Sequence, residues 1–273
     1  MIPLSATRIA RLLEIATRAV SSAAPAILAG FRSPDLAVER KADGTAVTRF
    51  DREAEWLIRE ALRTDCDNVW PVLGEELGDD SAGAQLRWVI DPIDGTLPYS
   101  RGLPHFGTLV AFEDYGAARA LLGVINLPVF AELYTACSGQ GARCNGDIIH
   151  VAPHRELSQC IVSAPAAHVF ARAGLATGYE RLCGVGAIML GNADCWMHAM
   201  AARGAVDVVI EFGLSRWDIA ASEIVVTEAG GRCLLRQSRT QAGKYDAVLG
   251  SAWGAEQVAA LLEFDSQPAE VAS

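Results

Sequence analysis

Residues 88–96 read WVIDPIDGT, and this run is the most informative part of the sequence for both the fold and the functional site. The apolar residues 88–90 predict a short strand that stops at Asp91. Asp94 follows three residues later, and Pro92 restricts the turn between them, so both carboxylates can point to one spot off the strand end. Two carboxylates that share a site repel each other unless a cation lies between them. Oxygen ligands of this kind are those that Mg²⁺ prefers, often with a backbone carbonyl added.

The end of the run favours phosphate binding. Gly95 and Thr96 offer backbone N–H groups and a hydroxyl, and Pro98 is expected as the first residue of a helix. The start of a helix binds anions because its N–H groups are free. An isolated pair of Asp residues at this spacing is usually a solvated turn, but the complete run is more specific than the pair.

The first half of the chain surrounds this run with helices and strands, as apolar spacing and turn residues indicate. We expect this half to end near residue 150, where a tight turn closes the block. Its predicted elements are a helix over residues 9–30, a turn at 41–45, a helix over 50–62, strands over 107–112, 121–125 and 132–136, and a turn at 145–147.

The second half, residues 151–273, alternates more clearly between helix and strand. This alternation predicts an α/β half packed on a more antiparallel first half. Residues 265–273 are expected to form a frayed tail. The predicted elements are a helix over residues 194–202, a strand over 206–211, a helix over 219–229 ended by Gly230-Gly231, and a strand over 247–250.

Composition restricts the partners. The formal net charge of −10 disfavours nucleic acid and anionic membrane surfaces. The seven cysteines form no C-x-x-C pair, which argues against a zinc cluster and a disulfide framework. No signal peptide is recognisable, and we expect no apolar run that approaches the ~18 residues needed to span a bilayer. We therefore expect a cytoplasmic protein without a membrane partner, in which bound divalent cations attract an anionic substrate.

Three motifs resemble the inositol monophosphatase superfamily. Residues 88–96 resemble its first signature, and residues 217–221 (WDIAA) followed by 227–231 (TEAGG) resemble its second. A third element, residues 74–76 (GEE), lies upstream at the usual distance. The resemblance extends over residues 41–231. It implies an α/β fold (α+β layered), an αβαβα sandwich with two sub-domains and the site between them, a homodimer, and inhibition by lithium.

The resemblance implies two or three Mg²⁺ ions in each site. Glu75, Asp91 and the carbonyl of Ile93 would hold one ion, and Asp91, Asp94 and Asp218 a second, while Glu75 would serve a further, weaker one. Two simpler alternatives stay open. Glu75 can be a surface acid beside Glu76, and Asp218 can complement the positive end of the helix that it opens.

The resemblance also implies the catalytic residues, which are Asp51, Thr96 and Glu75. In the family, the Asp that matches Asp51 accepts a hydrogen bond from the Thr that matches Thr96, and the pair activates the attacking water. Alternatively, Asp51 pairs with Thr48 in a variant of the capping box. The expected reaction is hydrolysis of a small phosphate monoester by water that metal ions activate.

Residues 191–196, GNADCW, bear on the substrate. Inositol monophosphatases carry a run of small residues here, whereas an Asp-Cys-aromatic triplet resembles the histidinol-phosphate phosphatase branch. Histidinol phosphate carries an ammonium group and an imidazole, and the carboxylates of Asp194 and Glu211 suit a cation. Alternatively, Asp194 is a helix N-cap and Glu211 a solvent-facing acid. The predicted substrate-binding residues are Asp94, Gly95, Thr96, Asn192, Asp194, Glu211 and Asp218.

Two departures from the family pattern concern the substrate only. Residues 97–100 (LPYS) replace the more usual small, aromatic-containing loop, and residues 126–128 (NLP) lack the Gln expected in the histidinol-phosphate branch. Hydrolysis of histidinol phosphate is therefore the first hypothesis, ahead of inositol 1-phosphate and of a 3′(2′),5′-bisphosphate nucleotide. A binding partner of the transcription machinery is the non-enzymatic alternative, and a basic surface patch would support it.

Overall fold

The described α-helices of this computed structural model range in length from 5 to 25 residues. The model describes residues 4–65, 70–117, 119–191 and 194–265. In this part of the chain the α-helices are α1 (Ala6–Gly30), α2 (Arg49–Asp65), α3 (Thr96–Ser100), α4 (Ala167–Arg172), α5 (Ala176–Gly184), α6 (Asp194–Ala202), α7 (Arg216–Glu228) and α8 (Ala252–Leu262), with one 3₁₀ turn at Leu157–Gln159.

The described strands form one hairpin and two larger sheets. The hairpin consists of β1 (Val38–Arg40) and β2 (Ala46–Thr48). The first sheet has the order β10-β9-β8-β7-β6-β5-β3-β4, and the second has the order β12-β11-β13-β15-β14. Their strands are β3 (Val72–Gly74), β4 (Gly78–Asp79), β5 (Leu86–Asp94), β6 (Gly107–Asp114), β7 (Arg119–Leu127), β8 (Glu132–Cys137), β9 (Ala142–Cys144), β10 (Asp147–Ile149), β11 (Ile161–Ser163), β12 (Ile188–Leu190), β13 (Val208–Leu214), β14 (Gly231–Gln237) and β15 (Tyr245–Ser251).

Alternation along the central strands explains why helices cover both faces of the first sheet. On β5, Trp88 and Ile90 belong to the core that α1 and α2 cover, whereas Val89 belongs to the core beneath α6 and α7. Successive strand residues point to opposite faces, so each strand contributes to two cores. The second sheet lies beyond α6 and α7, and α4, α5 and α8 cover its outer face. The layers are therefore αβαβα, which confirms the expected sandwich.

The strand β5 continues past the position at which the sequence pattern ends it. It reaches Asp94 instead of stopping at Asp91, and its pairing with β6 shifts register between these two residues. Asp91 lies opposite Leu109 and Asp94 opposite Gly107, so three steps on β5 match two on β6. In a regular strand, residues three apart point to opposite faces. The bulge adds one residue and brings both carboxylates to the same side.

Pro92 lies inside this bulge, where its missing N–H costs no ladder bond. Its carbonyl accepts a hydrogen bond of 2.9 Å from Thr108 Oγ1. The helix after the run begins at Thr96, so the expectation that Pro98 is its first residue is wrong by two positions. The expected turn after β9 is present, with Asn145 and Gly146 both at positive φ (50° and 91°), as a two-residue hairpin requires.

The helix α1 corrects one expectation about the chain. By length and composition it is apolar enough to cross a membrane. Its residues Leu12, Ile15 and Val20 are buried against α2 and the first sheet. A core helix of a globular domain can have the same length and apolar composition. The described cysteines are all unpaired, as expected, and Cys66 lies outside the described residues.

The two larger sheets divide between Ile149 and Ile161, and the α6–α7 layer contacts both of them. The division into residues 1–150 and 151–273 stays a prediction. The expected tail at 265–273 lies, from residue 266 onward, outside the described residues.

Gly123 on β7 lies where α7 packs closely against this strand of the first sheet, with no room for a side chain. A Cβ at this position would lie 2.6 Å from Ile224 Cγ2 and 2.7 Å from the carbonyl oxygen of Ala221. We expect Gly123→Ala to lower the free energy of unfolding by about 1–3 kcal/mol, because backbone must move to admit the methyl group. Urea unfolding followed by circular dichroism measures this loss. Gly184→Ala is the matched control, since nothing lies within 4 Å of its Cβ position; equal losses in both variants would contradict the close packing.

Candidate active site

Three carboxylates meet where the bulge of β5 faces the start of α7. One side-chain oxygen from each of Asp91, Asp94 and Asp218 lies within 4.8 Å of the others. Asp91 is 1% exposed and Asp94 is 9% exposed. Buried carboxylates at this separation are unstable as three anions, so the group needs either protons or a cation.

Two of these carboxylates, Asp218 and Asp94, accept hydrogen bonds from backbone N–H groups. Asp218 is the third residue of α7, and its Oδ2 accepts the N–H of Ser215 at 2.6 Å. Asp94 Oδ2 accepts the N–H of Cys195 at the start of α6. Asp218 therefore caps the start of α7, as the alternative holds, and the same side chain also belongs to the acidic group.

The environment raises the pKa of every carboxyl in the group. Burial raises the pKa of Asp91 well above its usual value, and the charges of Glu75, Asp94 and Asp218 add to this. Burial likewise raises the pKa of Asp94, together with the charges of Asp194 and Asp218. Burial raises the pKa of Asp218 to about 7. Asp91 Oδ1 has no hydrogen-bond partner among the described residues, which fits an oxygen that binds a cation.

Glu75 lies beside the group and bonds to a lysine. Its Oε1 is 2.7 Å from Lys41 Nζ, which also lies 2.6 Å from Glu76 Oε1. Burial would lower the pKa of Lys41, but its bonds to the two carboxylates outweigh burial and raise it. Glu75 is only partly exposed, and it is close enough to raise the pKa of Asp91. Glu75 is therefore not an isolated surface acid.

Asp51 joins its own helix start to Thr96. Its Oδ2 accepts the N–H and the hydroxyl of Thr48, at 2.8 and 2.6 Å. Its Oδ1 lies 3.0 Å from Thr96 Oγ1, which is also 3.0 Å from the carbonyl oxygen of Ile93. Asp51 therefore makes both the bonds of the capping-box alternative and the bond to Thr96 that the resemblance implies. One hydroxyl proton serves either Asp51 or Ile93 at a time.

The acidic group, Glu75 and Thr96 line one cleft of about 890 Å³, whereas Asp51 and Lys41 are not among its lining residues. Gly95 has φ of +85°, and a Cβ there would lie 2.7 Å from the carbonyl oxygen of His105, so only glycine fits. Arg40 and Arg101 also line the cleft and place positive charge at its rim. The predicted site residues among its lining are Glu75, Asp91, Ile93, Asp94, Gly95, Thr96, Asp194 and Asp218.

Asp194 lines the cleft, and Glu211 lies behind it. Asp194 is the first residue of α6, with φ of +69°. The start of this helix is capped by other side chains, because Asp194 N–H bonds to Glu211 Oε1 and Cys195 N–H bonds to Asp94. Glu211 is 4% exposed, so the alternative of a solvent-facing acid is wrong. Asn192 lies outside the described residues.

Sequence reasoning missed three groups around the site. Lys41 was assigned only to a turn, although a lysine followed by turn residues close to an acidic motif could have drawn attention. Lys244 lies 5.6 Å from the ring of Trp217 and bonds to Ser215 Oγ. His198 is buried beside Glu211, with 3.2 Å between Nε2 and Oε2. The last two depend on contacts between distant elements, for which the sequence carries no local signal.

Comparisons with known proteins agree with this geometry. Residues 9–267 match the model of the inositol monophosphatase family. A histidinol-phosphatase from Chlorobaculum parvum is 34% identical over 81% of this chain and 84% of its own length. The Nus factor SuhB from Escherichia coli is 34% identical over 81% of this chain and 83% of its own length.

Solved structures show the same relationship. An inositol monophosphatase from Zymomonas mobilis superposes with a TM-score of 0.78 at 27% identity, over 95% of this chain and all of its own. The suhB protein from Bartonella henselae gives a TM-score of 0.79 at 26% identity, over 92% and 98% of the two chains. The chain belongs to the inositol monophosphatase family and is a phosphatase of that family.

The raised pKa of Asp218 predicts a pH-dependent stability of the metal-free protein. The folded chain keeps a proton on Asp218 up to about pH 7, whereas the unfolded chain releases it near pH 4. The contribution of protonated Asp218 to the free energy of unfolding is therefore complete below about pH 4 and is lost as the pH rises toward about 7. Asp218→Asn removes the charge but keeps an oxygen acceptor for Ser215. In EDTA, we expect the difference in melting temperature, variant minus parent, to be larger at pH 8 than at pH 5.

The exposed residue Asp147 on β10 provides the control, because Asp147→Asn should follow the parent at both pH values. Saturating Mg²⁺ at pH 8 should remove the advantage of Asp218→Asn, since a bound cation neutralises the parent carboxylate. A constant difference between variant and parent across the pH range would contradict the assignment of the buried charge.

Proposed function

We propose that this phosphatase hydrolyses histidinol phosphate to histidinol and phosphate, with two or three Mg²⁺ ions bound in the cleft. The observation that carries the proposal is an acidic wall next to the carboxylate group, formed by Asp194 in the cleft and Glu211 behind it. Histidinol-phosphatases at 34% identity support the same substrate.

The carboxylate group fits divalent cations. Its oxygens lie within 4.8 Å of one another, and Asp91 Oδ1 lacks a protein partner among the described residues. In our proposal Asp91, Asp94 and Asp218 hold one ion, while Glu75 and the Ile93 carbonyl hold another together with Asp91. When bound, Mg²⁺ neutralises these carboxylates, orients the phosphate, and makes a water molecule more acidic.

The protein residues position the nucleophile and the phosphate. Thr96 Oγ1 can accept a proton from a water molecule while its own proton moves to Asp51 Oδ1, 3.0 Å away. Burial raises the pKa of Asp51, which favours its accepting that proton. Gly95 and Thr96 line the cleft beside Asp94, and in our proposal their backbone N–H groups bind the phosphate oxygens.

The acidic wall suits the other end of the substrate. Burial raises the pKa of Asp194 to about 7, and the charge of Glu211 adds to this rise. A cationic group in the cleft would stabilise the ionised form of Asp194 and gain a charge-assisted hydrogen bond. An inositol ring offers hydroxyl groups only, so it would leave the buried charge without a counter-ion.

Hydrolysis of inositol 1-phosphate is the second candidate, because solved inositol monophosphatases share the fold over nearly the whole chain. A role in transcription is suggested by relatives that carry the name Nus factor SuhB. A basic surface patch would support such a role, but Arg203 pairs with Glu132 and Arg181 with Glu263, so acidic partners offset these two positive charges. The homodimer, lithium inhibition and cytoplasmic location stay predictions.

The substrate is tested by phosphate release from histidinol phosphate and from inositol 1-phosphate, each with Mg²⁺ and with EDTA. We expect kcat/KM for histidinol phosphate to be higher by about a hundredfold, a difference of roughly 3 kcal/mol in transition-state binding. EDTA should abolish both activities. Preference for inositol 1-phosphate would refute the substrate proposal and leave the phosphatase assignment in place.

Asp194→Asn extends this test to the acidic wall. Asparagine tolerates positive φ as well as aspartate does, so the variant removes charge with little change in shape. It should lower kcat/KM for histidinol phosphate by about tenfold or more, with inositol 1-phosphate changed by less than about threefold.

Asp94→Asn tests the metal site. We expect kcat/KM to fall by about a thousandfold or more, because the variant loses a charged oxygen that the cations need. Its amide oxygen can still accept the N–H of Cys195, so the melting temperature in EDTA should equal or exceed that of the parent. Asp147→Asn is again the control and should keep parental activity. Normal turnover of Asp94→Asn would rule out the metal assignment.

A further inference from the structure

A buried imidazole connects the acidic wall to α7. His198 on α6 is 1% exposed, and its Nδ1 lies 2.9 Å from Ser222 Oγ. Its Nε2 lies 3.2 Å from Glu211 Oε2. Among the described residues, Nε2 has no aligned hydrogen-bond partner, so Glu211 is the group that it faces. Neither His198 nor Ser222 is among the cleft-lining residues.

We propose that His198 is a positioning residue that fixes the carboxylate of Glu211, and through it Asp194, so that the cleft prefers a substrate with a cationic group. This inference rests on the proposed function, because it explains how the acidic wall keeps its orientation.

The first step concerns the tautomer of His198. Ser222 is fully buried on α7, and its hydroxyl can donate to Nδ1 of the neutral imidazole. The hydrogen bond made by one ring nitrogen determines which form the other takes. With Nδ1 as acceptor, the proton is on Nε2, which lies 3.2 Å from Glu211 Oε2. In this form the N–H of the imidazole is the group that faces the carboxylate.

The second step concerns Glu211. A carboxylate that is 4% exposed needs polar neighbours, because burial strongly disfavours an uncompensated charge. Its Oε1 accepts the N–H of Asp194, and its Oε2 lies 3.2 Å from Nε2 of His198. Each oxygen thus faces its own polar neighbour, and the two contacts together restrict the side chain.

The third step leads to the cleft. Asp194 begins α6 at positive φ, a conformation that costs energy for a non-glycine residue. The bond from its N–H to Glu211 stabilises this conformation, in which Asp194 lines the cleft. His198 lies four residues further along α6, on the same face as Asp194. Loss of the imidazole would leave Glu211 free to rotate, and this change weakens the acidic wall.

The test compares His198→Leu with the parent on two phosphate monoesters, histidinol phosphate and glycerol 2-phosphate, the second of which has no cationic group. We expect KM for histidinol phosphate to rise about tenfold while kcat stays within about threefold, because positioning of the substrate cation is lost. Both constants for glycerol 2-phosphate should stay within about threefold, and the Mg²⁺ concentration for half-maximal activity should not change.

His198→Gln is the rescue variant, because its amide N–H can donate to Glu211, and it should recover most of the parental KM for histidinol phosphate. If His198→Leu does not fold, His198→Asn replaces it, since its amide is too short to reach Glu211. An equal loss on both substrates would show a purely structural role and overturn the inference.

The outcomes also separate the two proposals. A parent that does not prefer histidinol phosphate over glycerol 2-phosphate refutes the proposed function, and the inference falls with it. A parent that has this preference, together with a His198→Leu variant that keeps it, overturns the inference alone.

Discussion

Buried carboxylates repel one another, and the elements around the cleft must hold them together against this repulsion. Asp91, Asp94 and Asp218 place their oxygens within 4.8 Å of one another, in surroundings that raise the pKa of each. Such a group is unfavourable by itself, so the surrounding fold must hold it in place. The α6–α7 layer, buried between two sheets, provides that support and keeps the start of α7 opposite the bulge of β5.

Several acids of the site use one oxygen for the backbone and leave the other for the cleft or its support. Asp51 accepts from Thr48 with Oδ2 and from Thr96 with Oδ1. Glu211 bonds to the start of α6 with Oε1 and faces His198 with Oε2. The choice between helix capping and function was therefore not exclusive, because capping is what fixes the rotamer that function needs.

Local signals in the sequence were sufficient for much of the fold and for the acidic motif. Long amphipathic patterns predicted α1 and α2, and alternating apolar runs predicted β6, β7 and β8. The strands β11 and β12 have three residues each, and β14 has no clear alternation, so they were missed. The bulge at Asp91 to Asp94 was also missed, because a one-residue register shift depends on the partner strand β6.

The distance between oxygens, more than the number of acids, separates metal ligands from substrate contacts in this cleft. Among the described residues, the group within 4.8 Å comprises Asp91, Asp94 and Asp218, and Asp194 falls outside it. Divalent cations can therefore neutralise the first three and make that end of the cleft attract phosphate. Asp194 lies next to this group, close enough for its charge to raise the pKa of Asp94, and leaves an acidic side chain for the substrate. A substrate with an anionic and a cationic end matches this polarity, even though the chain as a whole carries a net charge of −10.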